Sequence, residues 1–141
     1  MAELNLVEKV IALESVELLR SLSPEQLSRI ASIAREVPAL PGQVIVEPAK
    51  PVDALFVILD GSVDLVRNGE AIVSAGQNEV IGAWGLFDEE PMDVAVKARD
   101  DVRLLRIDRE DFFDLLSDNI EIAAAIFSTL VKRFRKLIEQ G

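Results

Sequence analysis

Cysteine and histidine are both absent from the sequence, and their absence excludes several kinds of site. Without cysteine there is no disulfide, thiolate metal site or iron–sulfur cluster, and without histidine there is no histidine-ligated haem. Cysteine nucleophiles and histidine-based catalytic triads are excluded for the same reason. The sequence also contains neither a Gly-x-x-x-x-Gly-Lys phosphate loop nor a dinucleotide fingerprint. We therefore expect no haem, iron–sulfur or metal cofactor and no catalytic activity.

Long hydrophobic runs and an excess of positive charge are missing too. The apolar run over residues 54–59 has the length of a strand and is far too short to span a bilayer. The net charge is −10, from 25 acidic and 15 basic residues, and such a surface repels nucleic acid and anionic lipid. The N-terminus has none of the features of a signal peptide. We expect a cytoplasmic protein that binds no nucleic acid and does not insert into membranes.

The length and the hydrophobic content fit one folded domain. The chain has 141 residues, half of them hydrophobic, which is enough for a single core. Its pattern predicts helices over 1-35, short strands over 36-107 and further helices over 108-141. We therefore expect one domain over 1-141 that is mainly β with flanking helices.

Two helices are predicted in the N-terminal part. Leu4, Val7, Val10 and Ile11 recur at helical spacing. Residues 23–26 read Ser-Pro-Glu-Gln, which supplies an N-cap, a proline at the first helical position and a glutamine at N3. We expect both helices to pack their apolar faces against the sheet.

Short strands recur at intervals of roughly eight to twelve residues through the middle of the chain. Residues 55–59 are almost continuously apolar, as expected for a strand buried on both faces. Asn68-Gly69 is a strong signal for a two-residue hairpin turn between two strands. The pattern predicts a closed or sandwiched sheet.

Two helices are predicted after the last strand. Asp108, with Asp111 three residues later, is expected to cap the first of them. Ser117-Asp118-Asn119 then breaks the pattern, and the final helix follows. Basic residues cluster near the end of that helix, and a solvated face suited to the helix dipole is favoured over an anion site. These basic residues are Lys132, Arg133, Arg135 and Lys136.

The final helix also carries an apolar seam with the 3, 4, 3, 4, 3 spacing of a coiled coil. Its members are Ile120, Ala123, Phe127, Leu130, Phe134 and Leu137. Because further apolar residues widen this face beyond what one sheet needs, two interpretations stay open: pairing in a homodimer, or packing of the whole face within the chain. We favour a homodimer, and its predicted interface residues are Ala123, Phe127, Leu130, Phe134 and Leu137.

Residues 81–96 contain the features of a loop that can hold an anion. They include a glycine pair, a short apolar turn, an acidic tip and Pro91. Glycines let backbone N–H groups approach a partner closely, and the start of the short turn directs a small positive dipole outward. The structural alternative is a corner of a β-barrel that is closed by glycines.

This stretch resembles the phosphate-binding cassette of the cyclic-nucleotide-binding domain family, and the resemblance extends over about residues 10–138. The family pattern is Phe/Ile-Gly-Glu, three or four apolar residues, a short tip, and Pro-Arg-Ala-Ala/Ser-Thr/Ser-Val. The resemblance implies an eight-stranded, jelly-roll-like β-roll (a double-stranded β-helix), a long C-terminal helix and a regulatory or sensor function. It also implies a set of ligand-binding residues: Ile81, Gly82, Ala83, Trp84, Gly85, Leu86, Met92, Asp93 and Val94.

The sequence departs from the family where that family grips its ligand. Ala83 stands where the family has the glutamate that holds the ribose, and Met92 stands where it has the arginine that binds the cyclic phosphate. Hydrogen bonds to charged groups contribute about 1.5–3 kcal/mol each. Losing both anchors therefore costs roughly 3–6 kcal/mol, or about 10²–10⁴ in affinity. Asp93 adds a negative charge beside the phosphate position.

We therefore expect weak or absent binding of cyclic AMP and cyclic GMP. One interpretation is a sensor module that responds to a different small molecule or to a weakly held nucleotide. The alternative is a ligand-free domain that serves dimerisation or partner docking in a larger regulatory or transport protein.

Overall fold

The computed structural model describes residues 3–83, 86–88, 91 and 93–140. This part of the chain contains eight strands: β1 (Arg35–Ala39), β2 (Val44–Val46), β3 (Ala54–Asp60), β4 (Val63–Arg67), β5 (Glu70–Ala75), β6 (Val80–Ile81), β7 (Ala95–Ala98) and β8 (Val102–Asp108). They form two four-stranded sheets, in the orders β1-β8-β3-β6 and β2-β7-β4-β5. Neighbouring strands run antiparallel. The predicted eight-stranded roll is confirmed.

Helices flank the roll at both ends of the chain and cover more residues than the strands do, so the fold is mixed rather than mainly β. They are α1 (Leu6–Leu13), a 3₁₀ helix (Glu17–Leu19), α2 (Pro24–Ile33), α3 (Arg109–Asp118) and α4 (Ile120–Gln140). No helix within the described residues is both long and apolar enough to cross a membrane.

Strand β3 shows why residues 55–59 are so apolar. Leu55 and Val57 belong to a core cluster shared with the helices. Ala54, Phe56 and Ile58 belong to a second cluster between the two sheets. Because successive side chains of a strand point to opposite faces, a strand between two cores is buried on both. The prediction of a doubly buried strand is confirmed.

The hairpin at Asn68-Gly69 is confirmed as well. Asn68 has φ +53° and Gly69 has φ +81°, as a type I′ turn requires, and the turn connects β4 to β5. Strand β5 forms one edge of its sheet, and most of it is exposed. Its exposed members include Ile72 and Val73.

The N-terminal helices agree only in part with the prediction. Helix α2 has the expected capping box, in which Ser23 and Gln26 each bond to the other's backbone N–H. In α1, however, Val7 and Ile11 are 67% and 60% exposed, so the expectation that this face packs on the sheet was wrong for them. Helix α1 instead packs on the core through Leu13, its one buried residue, and through the partly buried Val10 and Ala12.

Asp108 marks the start of α3, as predicted, but its side chain makes no capping bond. Its carboxylate instead pairs with Arg106 at 2.6 Å and with Arg35 at 3.4 Å. Burial raises the pKa of Asp108, but the hydrogen bonds and charges of Arg106 and Arg35 outweigh burial and lower it below its ordinary value. The carboxylate therefore ties two strands together at the start of α3.

Helix α4 carries two apolar stripes with different environments. Ile122 and Ile126 are buried in the core shared with the other helices. Phe127, Phe134 and Leu137 of the predicted seam are 67%, 64% and 63% exposed. The intrachain core therefore uses the neighbouring stripe and leaves these three residues outside.

Candidate ligand site at the cassette

The cassette begins where β6 ends. Ile81 pairs with Phe56 of β3 and is buried between the sheets. Gly82 follows with φ +82°, a left-handed conformation that side chains rarely adopt. A Cβ on Gly82 would lie 2.6 Å from the carbonyl oxygen of Ala54 and 3.0 Å from Cγ1 of Val52. Gly82 is therefore required by the packing of the roll, whatever its part in ligand binding.

The middle of the cassette is fixed against α3. Leu86 is buried in the helix-side core, and Arg109 Nε donates to its carbonyl oxygen at 3.0 Å. The ring of Phe87 meets the rings of Phe112 and Phe113 edge to face, with both centroid distances 5.9 Å. These contacts fix Leu86 and Phe87 against α3.

The cassette then crosses to the other sheet, where Asp93 and Val94 precede β7. Val94 is buried, whereas the Asp93 carboxylate is exposed and pairs with Arg67 of β4 at 3.2 Å. Sequence reasoning missed Arg67, because a charge at the end of a strand has no pattern that connects it to a distant loop. Arg67 offsets part of the negative charge that Asp93 brings to the site.

The predicted ligand-binding residues thus fall into three groups. Ile81, Leu86 and Val94 have buried side chains that serve packing, and Gly82 has no side chain, so only the backbone groups of these four could meet a ligand. Ala83 is partly buried against the helix-side core, and the side chain of Asp93 is exposed. Three further predictions lie outside the described residues: Trp84, Gly85 and Met92.

Ala83 lines a cavity of about 430 Å³ between the cassette, the start of the 3₁₀ helix and α4. Its apolar walls include Val16, Leu18, Val80 and Leu130. A second cavity of about 270 Å³ adjoins it along α4. The first volume falls in the ordinary range for small-molecule sites. Within the described residues, no group of acidic side chains is placed to hold a metal ion.

Comparisons with known proteins agree with this architecture. The family model described as the cyclic nucleotide-binding domain matches residues 36–119. The cAMP-dependent protein kinase regulatory subunit of Aspergillus niger is 29% identical over 106 residues, which cover 74% of this chain and 26% of that protein. The cyclic nucleotide-gated potassium channel of Mesorhizobium japonicum is 34% identical over 121 residues, which cover 84% of this chain and 33% of that protein. The chain therefore spans only a quarter to a third of these relatives.

A solved structure gives the same result. The N-terminal domain of a transcriptional regulator from Streptomyces coelicolor A3(2) superposes with a TM-score of 0.82 at 27% identity, covering 89% of this chain and 94% of that one. The cassette frame, the roll and the family match point to one assignment: this chain belongs to the cyclic nucleotide-binding domain family.

Proposed function

We propose that this chain is a cytoplasmic regulatory sensor module whose cassette binds cyclic AMP and cyclic GMP weakly or not at all. The observation that carries the proposal is the contrast between Gly82 and Ala83. Gly82 matches the glycine of the family pattern, and its neighbours Ala54 and Val52 leave no room for a side chain. Ala83 keeps the place of the ribose-binding residue but offers only a methyl group, which can neither donate nor accept a hydrogen bond.

The charges near the site do not compensate for the lost anchors. Two described cations lie beside the cassette: Asp93 already neutralises Arg67, and Arg109 donates to the carbonyl oxygen of Leu86. The side chains of Arg67 and Asp93 are both more than a third exposed, and an exposed pair of this kind contributes about 0–1 kcal/mol. If a nucleotide phosphate took the place of Asp93 beside Arg67, the gain in binding free energy would be small. The loss of the family's glutamate and arginine costs roughly 3–6 kcal/mol of binding free energy. The loss therefore dominates.

Calorimetry tests the proposal directly. With cyclic AMP or cyclic GMP at tens of micromolar, we expect no binding heat from the unmodified protein. The triple variant Ala83→Glu, Met92→Arg, Asp93→Ala restores both anchors and removes the competing carboxylate, so it is expected to gain nucleotide binding.

The control is Ala83→Gln, Met92→Gln, Asp93→Ala, which adds side chains of related size without their charges. It is expected to bind less nucleotide than the triple variant with charged anchors. A clear low-micromolar isotherm from the unmodified protein contradicts the proposal. A folded triple variant that gains nothing means that the loss of the anchors is not what prevents binding.

The exposed stripe of α4 favours a second function, dimerisation. Large apolar side chains follow one another along it: Ile120, Phe127, Phe134 and Leu137 from the predicted seam, with Val131 and Ile138 beside them. Leu130 and Ala123 are half-buried at the edge of the same face. A second copy of α4 carries the same seam, so two helices can pair through it.

The energetics support such a pair. Burying a large apolar side chain contributes about 1.5–3 kcal/mol, and each of the two copies provides several. That gain is comparable to or larger than the roughly 4–15 kcal/mol that association costs. Sedimentation velocity of the unmodified protein at tens of micromolar is expected to give a dimer. A monomer at that concentration rules this function out.

A further inference from the structure

The two cavities beside α4 differ in chemistry and share a wall. Glu17, Thr129 and Arg133 line both of them, so the cavities adjoin along one face of the helix. Thr129, Arg133 and Lys136 follow at intervals of four and three residues, which places them one above another on α4. This face is distinct from the exposed stripe with Phe127 and Phe134.

The larger cavity is mainly apolar. Four different segments line its 430 Å³: residues 15–18 at the start of the 3₁₀ helix, residues 78–80 at the start of β6, the cassette and α4. Ala83 contributes only a methyl group, and Phe87 closes the side that faces α3. A space of this kind suits a hydrocarbon or aromatic group, because apolar surface gains free energy when it leaves water.

The smaller cavity has a basic rim. Arg20, Lys132 and Lys136 line it together with Arg133, against one acidic residue, Glu17. Within the part of the chain that the structure describes, Arg133 pairs with Glu17 at 3.3 Å, and no ion pair is found for the other three cations. Such a concentration of positive charge is unusual on a chain with a net charge of −10.

The Glu17–Arg133 pair lies at the boundary between the two cavities. Its side chains are 55% and 52% exposed, so the pair contributes about 0–1 kcal/mol and opens at little cost. A ligand carboxylate or phosphate can take the place of Glu17, and Lys132 and Lys136 then add further positive charge.

From this arrangement we propose that the two cavities form one site for a free amphiphilic anion. The apolar body of the ligand occupies the cavity beside Ala83, and its acidic head group lies at Arg133, Lys132 and Lys136. This site supplies the ligand class for the sensor module, and in that respect it rests on the proposed function. The ligand is a free molecule rather than a lipid of a bilayer, because a strongly acidic chain is repelled by anionic membranes.

A ligand in this position contacts the cassette through Ala83 and Phe87, and α4 through Leu130 and Arg133. It therefore stabilises one placement of α4 relative to the roll, to the extent that it binds that placement more tightly than others.

Calorimetry with straight-chain carboxylates tests the site. Decanoate, kept below concentrations at which it forms micelles, is expected to bind about tenfold more tightly than the uncharged decanol because of the basic rim. Octanoate is expected to bind about tenfold more weakly than decanoate, since each buried methylene contributes about 0.8 kcal/mol. The double variant Lys132→Gln, Lys136→Gln is expected to lose about tenfold in decanoate affinity and little in decanol affinity.

Two variants act as controls. Arg135→Gln removes a neighbouring positive charge of α4 that lines neither cavity, and Phe134→Gln alters the exposed stripe. Both are expected to bind decanoate like the unmodified protein. The changed residues are exposed, so the variants are expected to keep the fold.

Three calorimetric results overturn the proposal. The first is the absence of decanoate binding to the folded protein, and the second is an equal loss of decanoate affinity in the Arg135→Gln and the double variants. The third is a loss of decanoate affinity in Phe134→Gln while the double variant retains it. Co-sedimentation with phosphatidylglycerol vesicles that depends on Lys132 and Lys136 would also overturn it, in favour of a membrane lipid. Each of these results leaves the cyclic AMP calorimetry untouched, so the proposed function stands or fails separately.

Discussion

The start of the cassette and the second half of α4 both stand out in the sequence, but the structure treats them differently. Gly82 and Leu86 are enclosed by their own chain, against β3 and α3. Phe134 and Leu137 of α4 remain exposed among the described residues. A conspicuous pattern can therefore be required by the chain's own packing in one place and left for a partner in another. Substitutions in each region distinguish the two cases.

The largest effect is expected at Gly82. In Gly82→Ala the left-handed backbone costs about 1–2 kcal/mol, and the overlap of the new Cβ with the Ala54 carbonyl adds about 1–3 kcal/mol. Urea denaturation is expected to show a loss of roughly 2–5 kcal/mol in the free energy of unfolding.

Gly42→Ala is the matched control for this loss. Gly42 has φ +84°, but no atom lies within 4 Å of a Cβ placed there. Its substitution is expected to lower the free energy of unfolding only by the cost of the left-handed backbone, about 1–2 kcal/mol. Equal losses in the two variants would show that the close approach of Gly82 to β3 contributes nothing.

The two stripes of α4 are expected to respond in opposite ways. Phe127→Glu with Phe134→Glu changes exposed side chains, so each chain is expected to stay folded while the proposed dimer dissociates into monomers. Ile126→Ala removes a buried side chain of the same helix and is expected to cost about 2–5 kcal/mol in stability.

Circular dichroism and sedimentation velocity on both α4 variants separate these outcomes. An unfolded Phe127→Glu, Phe134→Glu variant would mean that this stripe belongs to the core. A folded dimer with both substitutions would place the interface elsewhere.

The smallest effect is expected at Asp108, at the junction between the roll and the C-terminal helices. Because its pKa is lower in the folded protein than its ordinary value of 3.8, Asp108 stabilises the fold above that pH. This contribution is lost as the pH falls through the folded pKa. Thermal unfolding is expected to show that the free energy of unfolding falls less between pH 7 and pH 3 in Asp108→Asn than in the unmodified protein. The expected difference between the two falls is about 1 kcal/mol or less. The exposed Asp114→Asn of the same helix serves as the control, and an equal change in both variants would contradict the prediction.

Much of the architecture could be predicted from the sequence because the relevant signals are local. The capping box at Ser23 and the hairpin at Asn68-Gly69 involve residues that lie within a few positions of one another. The apolar composition of β3 is enough to predict a strand that is buried on both faces. The cassette is identified by its resemblance to the family pattern, and so are the two positions at which it departs from the family.

The remaining features depend on contacts between distant segments. The pairing of Arg67 with Asp93 could not be read from either residue alone, nor could the preference of Asp108 for Arg35 and Arg106 over a capping bond. In α1, helical spacing predicted the helix, but it could not say that Val7 and Ile11 remain exposed. Periodicity reports the width of an apolar face, whereas the three-dimensional arrangement decides which part of it is covered.

The antiparallel pairing of β1 with β8 has a consequence for how the protein folds. Arg35 pairs with Arg106 and Ala39 with Val102, so almost the whole roll lies between the two partners in sequence. Closing so long a loop is entropically unfavourable, and chains dominated by such distant pairings fold slowly, on the scale of milliseconds to seconds. The β4–β5 hairpin, whose partners are adjacent, can form early. During synthesis, β1 can therefore pair with β8 only after β8 has left the ribosome, and its sheet cannot close before then.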